Sequence, residues 1–324
     1  MSRIDHSELI KSLSASQFIS GEDLANRFGV SRTAIAKQIK LLQDNGVDIF
    51  SVHRSGYRLN NEIDLLDAVT LLPELINKDK SLLHIESLID STNDYVKERV
   101  TNLSDGFVCL AQGQKKGRGR QGKRWVSPFG SNIYLSMKWH FELGFQSLSG
   151  LSLAIGVATV RTIKPFVALP VTLKWPNDVY IDGKKVSGTL VEVSGNSDGS
   201  CDAIIGIGLN VNMGESKEID QPWTDLTKNS QKLINKNTLA ATFINNLRQT
   251  VAQFSSEGLA PFVEEWEDHD HFRDKPIFIV NGKNQYQCIA RGISPTGALL
   301  VDVAEGDKTV RKELFGGEIS VKTA

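Results

Sequence analysis

One stretch between two strand-like runs does most to limit the fold. After GFVCLAQ the chain reads GQKKGRGRQGKRWVSPFGSN and then IYLSMKW. Lys115, Lys116, Arg118, Arg120, Lys123 and Arg124 are interleaved there with Gly117, Gly119 and Gly122. Read literally, Gly117 to Gly122 matches G-x-G-x-x-G. A dinucleotide-binding fold needs a helix directly behind that turn, so that pyrophosphate meets the helix N-terminus. Here KRWVSPFGSN follows, with no helical period and with Pro128 and Gly130 inside it. The same residues nearly spell a P-loop, but Arg124 stands where a magnesium-binding Ser or Thr is needed. Both phosphate-loop folds are excluded. What remains is a glycine-flexed cationic loop beside Trp125. Its backbone can approach a ligand closely, and its charge suits a polyphosphate or a mixed anhydride. The plain alternative is a solvated basic loop.

The chain has 324 residues, more than one typical domain of roughly 100–200 residues, so two or three domains are expected. Apolar residues make up 40%, enough for real cores, and the net charge is -1. No overall field draws such a chain onto nucleic acid, so DNA contact needs a local basic face. There is no run of about 18 apolar residues, and MSRIDHSELIKSL lacks an apolar signal core. A cytoplasmic chain with no membrane partner is expected. Cys109, Cys201 and Cys288 lie far apart in strand-like runs, without a CxxC pair. They read as buried free thiols, not disulfides or zinc ligands.

Residues 5–45 read as helices. Ser20-Gly-Glu-Asp23 is a capping-box-like start, with Leu24, Ala25 and Phe28 on one face. Gly29-Val30 breaks that helix and Ser31 caps the next, whose stripe is Ile35, Ile39 and Leu42. Asn45-Gly46 ends it. The pair forms a helix-turn-helix, whose second helix enters the major groove N-terminus first. Ser31, Arg32 and Thr33 stand there, with Lys37, Gln38 and Lys40 on the polar face. Arg32 or Gln38 could reach base edges, and the lysines phosphates. VDIFSVHRSGYRL then reads as a hairpin carrying His53, Arg54 and Arg58, which makes the module a winged helix. The alternative is a small helical module that binds protein or merely packs.

Strands are expected at SLLHIESLI and GFVCLAQGQ, a buried helix over Leu148–Val167, and an amphipathic helix over Thr238–Phe254 stopped by Gly258. From Lys275 onward, short strands alternate with turn signals at Asn281-Gly282, Ser294-Pro-Thr-Gly297 and Glu305-Gly-Asp307. His84 and His140 are isolated in strand-like runs and read as packed. Glu267-Asp-His-Asp-His271 looks like a metal cluster but reads as the solvated end of a helix, so no protein-built metal site is expected.

Four stretches occur in order: Ser91-Thr92-Asn93; GRGRQGKRWVSPFGSNIYLS; Lys174-Trp-Pro-Asn-Asp178 running into VYIDGKKVSGTLVE; and Gly206-Ile-Gly-Leu-Asn210-Val-Asn212. Together with the helix-turn-helix, they resemble the bifunctional biotin protein ligases and biotin operon repressors of enteric-type bacteria, over nearly the whole chain. The resemblance implies an α+β multidomain chain. Residues 1–66 would form the winged helix-turn-helix. Residues 67–273 would form a catalytic domain with a mixed sheet like that of class II aminoacyl-tRNA synthetases. Residues 274–324 would form a small SH3-like β-barrel. It further implies a ligase that makes biotinyl-5′-AMP from biotin and Mg2+-ATP and passes biotin to a lysine of biotin carboxyl carrier protein. The same chain would repress the biotin operon, with the adenylate promoting a homodimer on palindromic operator DNA.

The resemblance also implies site residues. Ser91, Thr92, Asn93 and Gln114 would hold the neutral ureido end of biotin. Gly117, Arg118, Gly119 and Arg120 would wrap the other end. Lys185, favoured over Lys184 by its place before VSG, would stabilise charge during adenylation, with Gly188 giving close approach. Arg120, Arg124, Trp125, Asn177 and Asn210 fall in the nucleotide region. Asp178 belongs either to the magnesium and phosphate region or to deprotonation of the acceptor lysine. Trp223 would stack on adenine or simply anchor a loop. Two positions depart from the family pattern: Gln121 replaces an arginine, and Lys322 stands where an arginine for triphosphate contact is common. A lipoate or octanoate ligase of the same superfamily, or a sensor that lost transfer, are the rival readings.

Overall fold

The computed structural model describes residues 4–216, 218–281, 284–316 and 319–323. Helices α1 (His6–Lys11), α2 (Gly21–Phe28) and α3 (Arg32–Asp44) precede a hairpin of β1 (Ile49–Val52) and β2 (Gly56–Leu59). The expected caps are in place. Ser20 accepts from the Asp23 amide, Ser31 from the Ala34 amide, and Gly29 closes α2 at φ +63°. Leu24, Ile35, Ile39 and Leu42 are buried with Leu9 and Ile10 of α1 and with Ile49 and Leu59 of the hairpin. The wing is less basic than its sequence. Arg58 lies 5.3 Å from the Phe18 ring centroid and 4.9 Å from that of Phe50, and it donates to the Ala15 carbonyl. It braces the wing, leaving His53 and Arg54 exposed at the turn.

The central part runs α4 (Ala68–Leu71), β3 (Leu83–Ile89), α5 (Thr92–Lys97), β4 (Val108–Gln114), β5 (Ile133–Phe141), α6 (Leu151–Ile163), β6 (Val171–Lys174) and β7 (Asp178–Ile181). It continues with β8 (Lys184–Gly195), β9 (Cys201–Leu209), α7 (Leu226–Asn229), α8 (Lys236–Glu257) and α9 (Val263–Asp268). The sheet order is β3-β4-β5-β9-β8-β7-β6. Only β3 and β4 are parallel, so the sheet is mixed. One face packs on α6 and α8: Leu135, Met137, Ile205 and Ile207 share a core with Ile155 and Ala158 of α6 and with Phe243, Leu247 and Val251 of α8. The α6 helix is apolar on nearly every side because it is covered by both the sheet and α8. The opposite face meets α5 and carries the cleft described below.

Strands β10 (Pro276–Asn281), β11 (Asn284–Ile293), β12 (Leu299–Glu305), β13 (Lys308–Leu314) and β14 (Ile319–Thr323) form an antiparallel sheet in the order β13-β12-β11-β10-β14. Ile277, Ile279, Ala290 and Val301 join the central core. The turns at Ser294–Gly297 and Glu305–Asp307 fall where expected. Gly282 of the first turn lies outside the described residues. Cys109, Cys201 and Cys288 are buried free thiols.

The N-terminal module is joined to the sheet by a clasped linker. The Gln112 carboxamide accepts from the Leu66 amide and donates to the Leu66 carbonyl. Asn237 does the same between Leu65 and Asp67. Phe129, from the loop before β5, is buried in the helix-turn-helix core, and its amide donates to the Asn45 carbonyl.

The segment Glu267–His271 is not the solvated helix end that its sequence suggests. Its backbone exchanges hydrogen bonds with Leu173, and it covers the free edge of β6. His269 bonds the Val171 carbonyl and His271 the Thr172 hydroxyl. Asp270 is half-buried, and its Oδ2 has no partner among the described residues. Burial pushes its carboxyl up to about 6. A carboxyl raised in the folded state favours folding below its unfolded value, and that contribution is lost as pH climbs from about 4 to 6. Asp270→Asn keeps the acceptor for the Phe272 amide and removes the charge. It should stabilise the protein at pH 8 by on the order of 1–2 kcal/mol. Thermal melts of both proteins across pH should show this gap closing near pH 4. A gap independent of pH would mean that the Asp270 charge is not its source.

Candidate functional site

The open face of the sheet holds a cleft of about 840 Å³. Glycines clear its floor. Gly206 and Gly208, two apart on β9, point the same way, and Gly188 of β8 pairs with Gly208. A Cβ on Gly206 would lie 2.2 Å from Asn93 Oδ1, and one on Gly208 would lie 2.3 Å from the Trp125 indole. A Cβ on Gly188 would lie 3.2 Å from both Trp125 and Lys185 Nζ. Three functional side chains therefore lie directly on bare backbone. Gly188 was expected here. Gly206 and Gly208 were not picked out as site residues, although a Gly-x-Gly inside an apolar strand signals close approach.

One end of the cleft is neutral and polar. Ser91 caps α5, with its hydroxyl toward the Asp94 amide. The Thr92 amide and hydroxyl both donate to Gln114 Oε1, at 2.9 and 3.1 Å. Gln114 Nε2 in turn donates to Ser127. The Ser136 hydroxyl lies 2.7 Å from Thr92 Oγ1 and 2.6 Å from Asn93 Oδ1, while Asn93 Nδ2 donates to Glu192 at 2.8 Å. The four expected residues come together, joined by Ser136 and Glu192. The only sequence trace of those two was a polar residue inside each of two mostly apolar strands, IYLSMKW and TLVEV. Hydroxyls and carboxamides of this kind recognise an uncharged hydrogen-bonding group.

The other end is cationic. The loop from Gly117 folds back on itself: the Trp125 amide donates to Gly117, and Gly119 to Lys123. A Cβ on Gly117 would strike the Trp125 carbonyl at 2.5 Å, so this turn requires glycine. Lys185 Nζ sits 2.7 Å from Asp178 Oδ1 and 5.4 Å from the Trp125 ring centroid. Lys184 is exposed and does not line the cleft, so the structure brings Lys185 to the site. Arg120 reaches Asn177 Oδ1 at 3.3 Å, and burial lowers its guanidinium from the ordinary value. Asn177 also donates to the Thr189 carbonyl, which fixes its side chain. Arg124 pairs with Glu218 at 2.6 Å. Arg118 lines the cleft, and both of its amino groups are bonded to Asp94, one of them also to Glu192.

The far wall is a loop bonded to β8. The Lys185 amide donates to Pro222, and the Thr224 amide to Lys185, so Trp223 runs alongside Lys185. Lys228 Nζ lies 4.3 Å from the Trp223 ring centroid. Asn210 is buried and donates to the Thr224 carbonyl, anchoring this loop while lining the cleft. The Trp125 Nε1 proton is buried with no partner among the described residues. None of the described residues form a group of three His, Cys, Asp or Glu side chains fit to hold a metal ion. The Lys322 side chain lies outside the described residues.

On the helix-turn-helix, Ser31, Arg32, Thr33 and Lys37 are exposed at the start of α3. Gln38 is corrected: its carboxamide oxygen lies 2.8 Å from His6 Nε2, so it faces α1 rather than outward.

Residues 85–210 match the Biotin/lipoate A/B protein ligase family, and residues 6–58 an HTH domain. The bifunctional ligase/repressor BirA of Escherichia coli is 40% identical over 98% of this chain and 97% of its own length. The protein of the same name from Bacillus subtilis is 28% identical over 92% of this chain and 94% of its own. Among solved structures, the biotin protein ligase from Aquifex aeolicus in complex with biotin and ATP superposes with a TM-score of 0.64 at 30% identity. That match covers 75% of this chain and 99% of that one.

The glycine floor makes a direct prediction. Gly208→Ala should displace the Trp125 indole, at a cost of about 1–3 kcal/mol from overpacking. Tryptophan emission should shift relative to a matched Trp125→Phe background. An unchanged spectrum and melting temperature would mean that the indole does not lie on Gly208.

Proposed function

The chain belongs to the biotin protein ligases in their bifunctional ligase/repressor form, and we propose that its cleft binds biotin across the glycine floor with the ureido ring at the neutral end. The observation that carries this reading is the polarity of the cleft. Ser91, Thr92, Asn93 and Gln114 offer only hydroxyls and carboxamides, whereas Lys185 and Arg120 stand at the opposite end. A molecule with a neutral bicyclic urea at one end and a carboxylate at the other fits that order.

The carboxylate oxygen of biotin attacks the α-phosphorus of ATP, pyrophosphate leaves, and biotinyl-5′-AMP forms. The acceptor lysine amine then attacks the acyl carbon and AMP leaves. Lys185 and Arg120 stabilise the negative charge that gathers on the phosphoryl oxygens. Arg124, Trp125, Asn177, Asn210 and Trp223 border the nucleotide. Asp178 is the residue that would hold a Mg2+ bound to the ATP phosphates, where the ion would supply charge neutralisation. Its pairing with Lys185 at 2.7 Å sets Lys185 in place. The acceptor is biotin carboxyl carrier protein, and the reaction belongs to the cytoplasm.

Residues 1–66 bind operator DNA, 67–273 carry the chemistry, and 274–324 pack against it. The adenylate promotes a homodimer whose two-fold axis matches a palindromic operator. Ser31, Arg32, Thr33 and Lys37 form the DNA-facing set, while the Gln38 carboxamide oxygen lies 2.8 Å from His6 Nε2.

Lys185→Met should lower carrier biotinylation by about 10²–10³-fold, read as intact mass of a biotin-accepting domain after incubation with biotin and Mg2+-ATP. Wild-type protein that adds no biotinyl group would overturn the assignment of the cleft to this reaction. For the DNA face, Lys37→Ala should weaken operator binding and reduce the salt slope by about 1. Arg32→Ala should cost about 1–3 kcal/mol in sequence discrimination. Gel shifts across a salt series would read both. Unchanged slopes and discrimination would place the contacts on another surface.

A further inference from the structure

The cleft does not end at Lys185. It continues along the sheet to Lys174 of β6, Tyr180 of β7 and His271 of the segment that covers the β6 edge. Lys185 stands between two arms of this space. On one side of β8 its partner is Tyr180, and on the other it is Trp223. Biotin and adenine account for the neutral end and the Trp223 side. The arm toward His271 is left over.

That arm is built from donors. Lys174 Nζ donates to Tyr180 Oη at 3.1 Å. Burial holds the Tyr180 phenol above its ordinary value, so it keeps its own proton. The His271 ring centroid lies 5.4 Å from that of Tyr180 and 4.7 Å from that of Phe272. The His271 amide donates to the Leu173 carbonyl, which ties the residue to β6. Its Nδ1 faces the Thr172 hydroxyl at 3.0 Å, so Nε2 is the ring nitrogen left to meet a ligand. With Thr172 donating to Nδ1, the neutral ring carries its proton on Nε2. Burial lowers the imidazole from its ordinary value, and the ammoniums of Lys275 and Lys174 lower it further. The nearby acids are engaged elsewhere: Asp178 pairs with Lys185, and Asp270 accepts from the Phe272 amide. A ring that neighbouring cations disfavour as a cation gains from an incoming anion.

The chemistry of the first half-reaction names that anion. A carboxylate oxygen of biotin forms a bond to the α-phosphorus of ATP. The bond from that phosphorus to the bridging oxygen of pyrophosphate breaks, and its electron pair leaves with pyrophosphate. Entering and leaving oxygens stand roughly in line, so pyrophosphate departs on the side away from biotin. With biotin at the neutral end and adenine beside Trp223, the arm that remains is the one from Tyr180 to His271.

We propose that His271 is a further catalytic residue of adenylation, whose Nε2 proton hydrogen-bonds the leaving pyrophosphate in the arm beside Lys174 and Tyr180. This rests on the biotin-ligase reading of the cleft and deepens it. No proton need be transferred. A donor aimed at the oxygens where negative charge gathers is sufficient. Pyrophosphate has left before the acceptor lysine attacks, so His271 serves the first half-reaction and not the second.

The test takes the full chain and reads the two half-reactions apart. His271→Leu removes the donor, and His271→Gln keeps an N–H group within reach of the same place. Biotin-dependent exchange of pyrophosphate into ATP reads the first half-reaction. His271→Leu should slow it about ten- to a hundredfold and raise the KM for pyrophosphate, the scale of one hydrogen bond to a charged group. His271→Gln should recover most of that loss. Transfer from preformed biotinyl-5′-AMP to a biotin-accepting domain should stay within about twofold of wild type in both variants, which also shows that both are folded. Equal exchange in wild type and His271→Leu would overturn the proposal. So would a loss of transfer as large as the loss of exchange, because the effect would then be structural. A loss confined to transfer would overturn it as well, by putting the imidazole at the acceptor lysine. Wild-type protein that neither exchanges pyrophosphate nor transfers biotin would overturn the reading of the cleft, and the role of His271 with it.

Discussion

A strip of sheet without side chains is the constraint on which the rest of the site depends. Gly206 and Gly208 of β9 and Gly188 of β8 meet on one face, and the space above them is taken by Asn93, Trp125 and Lys185. Glycine weakens a strand, because it has no side chain to pack and loses more conformational freedom on folding. The sheet tolerates this because its opposite face is covered. Ile205, Ile207 and Leu209 alternate with those glycines and are buried under α6 and α8. The same two-residue period thus gives a rigid backbone on one side and a bare floor on the other.

On that floor the polarity of the walls follows from how each element arrives. The neutral end is built from a helix start and a strand end, where Ser91, Thr92 and Gln114 satisfy one another. Such a network can exchange partners with a neutral ligand without exposing a buried charge. The cationic end is built from a loop and from the β7–β8 pair, which brings Asp178 beside Lys185. A half-buried lysine beside a carboxylate is held in one orientation, which matters where negative charge develops during reaction. The loop carrying Trp223 closes the wall through backbone bonds to Lys185 itself. A reactive mixed anhydride needs this enclosure, since water competes with the acceptor amine.

The sequence made the helix caps, the amphipathic stripes and the cationic loop legible, because each rests on signals within a few residues, whereas the mixed sheet followed from the family resemblance. Ser20, Gly29 and Ser31 act within one turn of their own helices. What stayed hidden was the choice of partner over long separations. Arg118 lies 24 residues from Asp94 and 74 from Glu192, and nothing local told that its charge is used internally. Gln38 looked like a base-reading residue on a polar face until His6, on another helix, took its oxygen. Arg58 was counted among the basic residues of the wing, but two aromatic rings and the Ala15 carbonyl hold it. Glu267–His271 has the composition of a solvated run. Its position is set by the open edge of β6, which the local sequence does not encode.

The same long-range contacts tie the cleft to the DNA-binding module. Trp125 lies on the glycine floor, and only four residues later Phe129 is buried in the core of the helix-turn-helix. Between them, Ser127 accepts from Gln114, and Pro128 touches the position where a Gly46 side chain would stand. Beyond them, the Gly130 amide donates to the Gln112 carbonyl, and the Gln112 side chain clasps the linker at Leu66. A run this short, fixed at both ends by burial and at its middle by hydrogen bonds, has little slack. Displacement of Trp125 must then be absorbed either in the five bonded residues or at Phe129. Packed cores shift between discrete arrangements rather than deforming smoothly. The covalent path from the cleft to the core of the DNA-binding module is therefore only a few residues long, and it runs through the segment that the sequence marks with Pro128 and Gly130.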